Sequence, residues 1–496
     1  MGSGDGIGDK VELTITFDGA VSGNHSLVVN GATTLNGGSV TTTGAQTYNG
    51  AMTLGAHTTL NASAADVLLH STVDGAYDLT VNTTGNTRFD GAVGGTTPLS
   101  SLTTNAGGMV LVNTSTVHTS GAQTYNDMVT LLVSSNLSAS TVTFNDAVVG
   151  AGDMAVVGAA VLNAGTINTS GTQSYSSTAT LVRDTVLTAS SVSVEGAVSG
   201  AHAFTVNGPA TLNGGSVNTS SAAQRYNGTV SLGANTTLTA SAVTFGNTVT
   251  GSGSLTVNGP VTMNGGSVTT AGTQTYNSAV TLGADTFLSA TVGTVNFVSI
   301  TDGAALFDLD VSTAAALVLH DVTIHGDLHT TTQAGGVSQA AGTHLDIGGT
   351  SRFTATHTAH QNAAINSAAN RMVGTVTFDE TTPGSWADVA VTTTTALTLA
   401  PLQSGGAVTL NTQGAALTTS SISATGNLNV NTAGGTASLG TATVSGAMTV
   451  LTANGAVTQT GQFVVTGNTT VTAGTGTITM LKLVLFRSQI PCQHRP

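Results

Sequence analysis

Half of the twelve histidines in this 496-residue chain fall in one stretch, His320, His325, His329, His344, His357 and His360, with Asp321 and Asp327 among them. Imidazole and carboxylate are ligands for zinc and other transition metals. The spacing fits no zinc pattern, so the reading is polar residues carried on the outside of an extended scaffold, and neither metal nor cofactor is expected. Asp5-Gly6-Ile7-Gly8-Asp9 has the texture of a calcium turn, but the nonapeptide period that stacks such turns is absent. Acid–base work on a polysaccharide needs two carboxylates on one face. The chain has only three glutamates, Glu12, Glu195 and Glu380. In a strand Asp379 and Glu380 point to opposite faces, whereas Asp308 and Asp310 share one. That second pair is the best hydrolase candidate, set against the plainer reading of solvated outward aspartates. Serine and threonine are everywhere and no Ser/His/Asp grouping has motif context, so no catalytic residue is assigned and no enzyme is expected.

The composition says what kind of scaffold this is. Nine Lys+Arg and 23 Asp+Glu make 6% charged residues, against about 25% in an ordinary soluble domain. A net charge of −14, with Lys482, Arg487 and Arg495 gathered in the last fifteen residues, leaves no basic stripe for nucleic acid. The single Cys492 makes a disulfide framework or redox chemistry an unsuitable reading. Aliphatic runs are broken every few residues by Thr, Ser, Asn or Gly, well short of the ~18 residues of a membrane helix. The first ten residues carry no signal peptide, so an export signal is expected to lie outside this chain.

Repeats dominate the rest. Gln-x-Tyr recurs at Gln46-Thr47-Tyr48, Gln123-Thr124-Tyr125, Gln173-Ser174-Tyr175, Gln224-Arg225-Tyr226 and Gln274-Thr275-Tyr276, the last three steps being 50 or 51 residues. Phe17, Phe89, Phe144, Val194 and Phe245 mark a similar period, and Leu-Asn-Gly-Gly-Ser-Val recurs at Leu35 and Leu212. Within a unit, stretches such as Phe204-Thr205-Val206-Asn207 alternate apolar with polar, the period of a strand, between Asn-Gly and Gly-Gly corners. This predicts an all-β, right-handed parallel β-helix (β-solenoid). Each 50-residue repeat is expected to wind twice, as two coils of about 25 residues, which stacks the Gln-x-Tyr tripeptides one above another and makes about 20 coils in all. Val, Leu, Ala and Phe face inward. Thr, Ser and Asn face outward, with Asn and Thr ladders joining the coils. The five tyrosines either form an exposed binding column or pack at a coil corner. A Thr-x-Thr face that orders ice is weighed too, against the Ser, Asn and Ala expected to interrupt it. The regular repeats cover residues 1–294 and a looser continuation covers 295–480, where Val337 to Ala355 reads like Val457 to Ala473. Residues 481–496 form an atypical tail, either a cap or an out-of-frame or truncated end.

Gly44-Ala45-Gln46-Thr47-Tyr48-Asn49-Gly50-Ala51-Met52-Thr53-Leu54, Phe89-Asp90-Gly91-Ala92-Val93-Gly94-Gly95 and Gly455-Ala456-Val457-Thr458-Gln459-Thr460-Gly461 resemble repeats of large bacterial exoproteins of the filamentous-haemagglutinin-like class. The resemblance is one of repeat texture and covers residues 4–480. It implies a secreted or cell-surface adhesin or biofilm component, exported with an outer-membrane transporter, often by two-partner secretion. It also implies a host or neighbouring-cell receptor or glycan as partner, and end-to-end or lateral self-association. The signal peptide and secretion domain of such proteins are not visible in this sequence.

Overall fold

The computed structural model describes residues 14–356, 360–381, 386–480 and 483–485. Asp5–Asp9, Glu12, His357, Lys482, Arg487, Cys492 and Arg495 lie outside them. The described residues are all strand, corner and turn; none of their segments is a helix long and apolar enough to cross a membrane. Strands pair in parallel and stack as a β-solenoid, as the alternation predicts. The chain divides into two units, Met1–Ser241 and Ala242–Pro496.

In the first unit one coil can be followed strand by strand. Ser191–Val194, Val198–Ser199 and Phe204–Asn207 form its three sides. The next three strands, Ala210–Leu212, Ser216–Asn218 and Ala223–Tyr226, lie on them in the same order, with Val192 opposite Ala210, Val198 opposite Val217 and Phe204 opposite Gln224. A coil is therefore 18 to 20 residues here, shorter than the 25 expected. The 51-residue step from Gln173 to Gln224 spans eight strands on a three-sided coil, which is two turns and two further sides.

As a consequence the Gln-x-Tyr tripeptides do not stack in line. Gln173 pairs with Val192 and Met154, not with a column that contains Gln224. Gln123 pairs with Leu102 and Val142 on a second side. Gln46 and Gln224 share the third side, joined through nine successive pairings. Marker spacing measures the sequence repeat, while coil length is set by three short strands and three corners, and the two periods are not commensurate.

The first unit's core is the inward half of each alternation. Asp78–Thr83 reads intermediate, buried, intermediate, buried throughout, and Leu60, Leu79, Leu102 and Phe144 are fully covered. Burying one such side chain stabilises by about 1.5–3 kcal/mol, and the coils supply this many times over. Corners need close approach: a Cβ on Gly214 would sit 1.9 Å from the Gly196 carbonyl oxygen of the coil before. Outside, Thr59, Thr80, Thr103, Thr124 and Thr143 lie in register on successive coils before Val161 ends the file. That file is more uniform than the sequence reading expects. Asparagine ladders form as expected: Asn145 Nδ2 donates to Asn126 at 2.7 Å and Asn163 Nδ2 to Asn145 at 3.1 Å.

The second unit has the same construction with more variable coils. Leu309, Leu328, Ser351 and Val376 are stacked partners, spaced by 19, 23 and 25 residues, whereas Leu417, Ala437 and Val457 are 20 apart. Where the coils are widest, aromatic bulk fills them. Phe353 stacks on Phe378 at 5.1 Å and Trp386 meets Phe378 edge-on at 5.8 Å. The Trp386 Nε1–H donates to the Asp379 carbonyl at 2.9 Å, so the buried indole leaves no donor unpaired. Thr244, Thr262, Thr281, Thr301 and Thr323 form an outward file of five.

Candidate functional site

The tyrosines are the first candidates the structure removes from the surface. Tyr48, Tyr125, Tyr175, Tyr226 and Tyr276 are 0–1% exposed, and so are their glutamines, which excludes an exposed aromatic column. Each tripeptide builds the same clamp. In the Gln123 copy the Tyr125 hydroxyl donates to Gln123 Oε1 at 3.0 Å, while Gln123 Nε2 donates to the Val117 and Ser138 carbonyls, both at 2.9 Å. Val117 precedes the corner of the same coil and Ser138 belongs to the next. The glutamine therefore closes one corner from inside and ties it to its neighbour. The Gln46, Gln173, Gln224 and Gln274 copies repeat the geometry. Burial holds the five phenols above their ordinary range, so they stay protonated donors.

Most aspartates also have structural work. A corner aspartate takes the backbone N–H of the next coil: Asp153 from Thr172 at 2.7 Å, Asp184 from Ala203 at 2.9 Å, Asp388 from Ala407 at 2.8 Å. Asp285, Asp308 and Asp327 continue this in series, Asp308 Oδ1 accepting from Asp327 N at 2.7 Å and Asp327 Oδ1 from Thr350 N at 2.6 Å.

The histidine stretch is dispersed into pairs one coil apart. His325 Nδ1 lies 2.9 Å from Asp302, His329 Nδ1 lies 3.0 Å from Asp310 and His344 Nδ1 lies 2.8 Å from Asp321. His320 packs edge-on to Phe297 at 6.2 Å, and His360 lines an open depression beside Gly336 and Gln361. Among the described residues no three His, Cys, Asp or Glu side chains converge as a metal site. Burial opposes ionisation of Asp302, but hydrogen bonds from the His325 backbone and ring and from Ala304 N outweigh it, holding the carboxyl below its ordinary range.

The two carboxylate pairs depart from expectation. Asp308 precedes the strand Leu309–Thr313 and caps Asp327, so only Asp310 stands on the strand face. Asp379 and Glu380, expected on opposite faces, both line one depression of 450 Å³ with Gln403, Ser423 and Thr443, because the strand Thr375–Glu380 ends there at a corner.

One outward face in the second unit gathers unlike groups. Phe287, Asp310, His329 and Arg352 are partners in register on four successive coils. Ser289, Ser312, Thr331, Thr354 and Asp379 form the file beside them. Asp310 holds His329 through Nδ1, His329 Nε2 lies 3.1 Å from the Thr354 hydroxyl, and Arg352 is paired with Asp379. Phe287, Asp310, Ser312, His329 and Thr331 line a hollow of 260 Å³. The aromatic ring and the hydroxyl–imidazole–carboxylate chain carried no sequence signal beyond the candidacy of Asp310 itself, because the coil lengths of 23, 19 and 23 residues that align them are irregular.

A family described as "Repeats of unknown function (DUF5649)" matches residues 303–379 and 425–481, just over a quarter of the chain. The mutually similar segments beginning at Val337 and Val457 fall one in each matched stretch. No curated protein and no solved structure matches the chain. In these stretches the chain is similar to a repeat family of unknown function, and its fold is a β-solenoid.

Proposed function

We propose that this chain is a structural and adhesive β-solenoid, part of a secreted or cell-surface bacterial adhesin of the filamentous-haemagglutinin-like class. It has no catalytic role of its own in this reading. The observation that carries it is how the polar groups are used. Corner carboxylates cap the next coil, the glutamine–tyrosine pairs clamp corners from inside, and long outward files of neutral hydroxyls are left to meet other surfaces. A scaffold of this kind presents area rather than a reaction centre. Its partners are a host or neighbouring-cell receptor or glycan, with an outer-membrane transporter serving during export. The test is adherence of beads coated with the purified chain to bacterial and epithelial cells. Attachment above albumin-coated beads is expected, and parity with albumin refutes the reading.

Two other readings each draw on one observation. The Asp310–His329–Thr354 chain has the order of a carboxylate, a base and a hydroxyl nucleophile, which favours a polysaccharide-processing enzyme. That reading requires ester or glycoside cleavage that His329→Ala abolishes. The in-register file Thr59–Thr80–Thr103–Thr124–Thr143 favours ice binding. It requires thermal hysteresis, and a zero reading removes it.

A further inference from the structure

We propose that the outward face around Phe287 is a binding site for a neutral glycan chain lying along the stack of coils. The proposal rests on the adhesive reading and names the partner of one face.

Phe287 occupies the outward position next to Thr286 in the strand Thr286–Ala290, and 41% of it is exposed. Its in-register neighbour on the preceding coil is Ser267, the hydroxyl type usual on these faces. A phenyl ring held in water loses the stabilisation that the core gives buried phenylalanines of the strand faces, such as Phe297 and Phe353. What it offers outside is a flat apolar surface, which suits the C–H face of a pyranose. Two coils on stands the His329 imidazole, about 10 Å away by strand spacing, and the hollow between them has Asp310, Ser312 and Thr331 in its lining. Its 260 Å³ is slightly below the range of about 300–1,000 Å³ usual for drug-sized ligands and suits a single sugar unit.

The polar groups there are already oriented. Asp310 fixes the imidazole and the imidazole engages Thr354, so the carboxylate's second oxygen and the Ser312 and Thr331 hydroxyls are presented for a ligand's hydroxyls at little ordering cost. Charge selects against ions. Asp310 is paired with His329 and Arg352 with Asp379, so an anionic polymer meets no uncommitted cation in the file. The coil rise of about 4.8 Å is close to the length of one sugar ring. The second depression, with Asp379, Gln403 and Thr443, extends the same polar surface beyond Arg352. A linear chain therefore fits better than an isolated monosaccharide.

The experiment is affinity electrophoresis of the full chain in gels containing dextran, mannan or laminarin, with hyaluronan as the anionic comparison. Retardation by a neutral glycan is expected. Phe287→Ala should weaken it roughly tenfold or more, Phe287→Trp should retain it, and Asp310→Asn should weaken it severalfold, with circular dichroism confirming that each variant keeps its strands. Failure of all three neutral glycans, an unchanged Phe287→Ala, or binding confined to hyaluronan overturns the site. Bead adherence separates the two ideas. Adherence without glycan retardation overturns the site and leaves the adhesive reading. Glycan retardation without adherence overturns the adhesive reading and leaves the site.

Discussion

Replacing Gln123 by leucine would remove the centre of a buried clamp while keeping side-chain volume nearly constant. Three hydrogen bonds go: from Tyr125 Oη, and to the Val117 and Ser138 carbonyls. The carbonyls suffer less than the phenol, since Ser138 O also accepts the Thr119 N–H at 2.9 Å. The Tyr125 hydroxyl is left without an acceptor in a fully covered site. An orphaned buried donor costs about 1–3 kcal/mol and the lost bond to the Val117 carbonyl about 0.5–1.5, while the Ser138 carbonyl keeps its backbone partner, so Gln123→Leu should cost about 2–4 kcal/mol locally. Tyr125→Phe alone leaves Gln123 Oε1 unsatisfied and should cost about 1–2 kcal/mol. In the double variant the phenol is gone, so its penalty vanishes, and the cost should fall below the sum of the two single changes by about 1–2 kcal/mol. A stacked-coil protein unfolds in segments, so the assay is native-state hydrogen exchange read by mass spectrometry on peptides spanning Val117 to Phe144. The single glutamine variant should lose roughly 30- to 700-fold of protection there, with peptides several coils away unchanged. Additive effects, or a uniform loss across the unit, would show that the glutamine and tyrosine do not act as one device.

Corner geometry makes a second, cruder test. Gly200 has φ +137° and a Cβ there would lie 2.3 Å from the Leu181 carbonyl oxygen, whereas nothing lies within 4 Å of a Cβ on Gly19. Gly200→Ala should therefore cost about 2–3 kcal/mol and Gly19→Ala less than about 0.5 by chemical denaturation; equal effects refute the crowding argument. Stability should also depend on alkaline pH. The buried phenols have folded pKa values raised above the unfolded one, so their contribution is complete below pH ~10 and is lost as pH rises beyond it. Denaturation midpoints should be level from pH 7 to 9 and fall steeply above 10; a flat profile to pH 12 contradicts buried clamps. Finally, Arg88, Arg352 and Arg371 lie in strands and are ion-paired, while Arg183 sits at a corner with one weak bond to the Asn163 carbonyl at 3.4 Å. Among these four arginines, limited trypsin digestion should cut first after Arg183, and early cleavage after Arg88 instead would count against the pairing.

Alternation such as Asp-Leu-Thr-Val-Asn-Thr at Asp78–Thr83 is a direct image of inside and outside, because a strand reverses side at every residue. That much of the solenoid is readable from the chain alone. Coil length is not, because Gln-x-Tyr marks a local device rather than a turn. The clamp needs only its own corner and the one above it, some fifteen residues on, as Gln123 reaches Ser138 and Gln224 reaches Thr239. A device satisfied so locally works on any side of the tube, so nothing forces successive copies into one column, and a 50-residue repeat can walk around a coil of about 20. The same reasoning explains why the Phe287 face escaped the sequence. Its members Phe287, Asp310, His329 and Arg352 are 19 or 23 residues apart and share no residue type, so they become neighbours only when each coil's length is known. In a stacked protein, devices that stabilise recur because every coil needs them. A binding face depends instead on a break in the pattern, and Phe287, the one exposed phenylalanine among the described residues, following Ser267 in its file, is such a break.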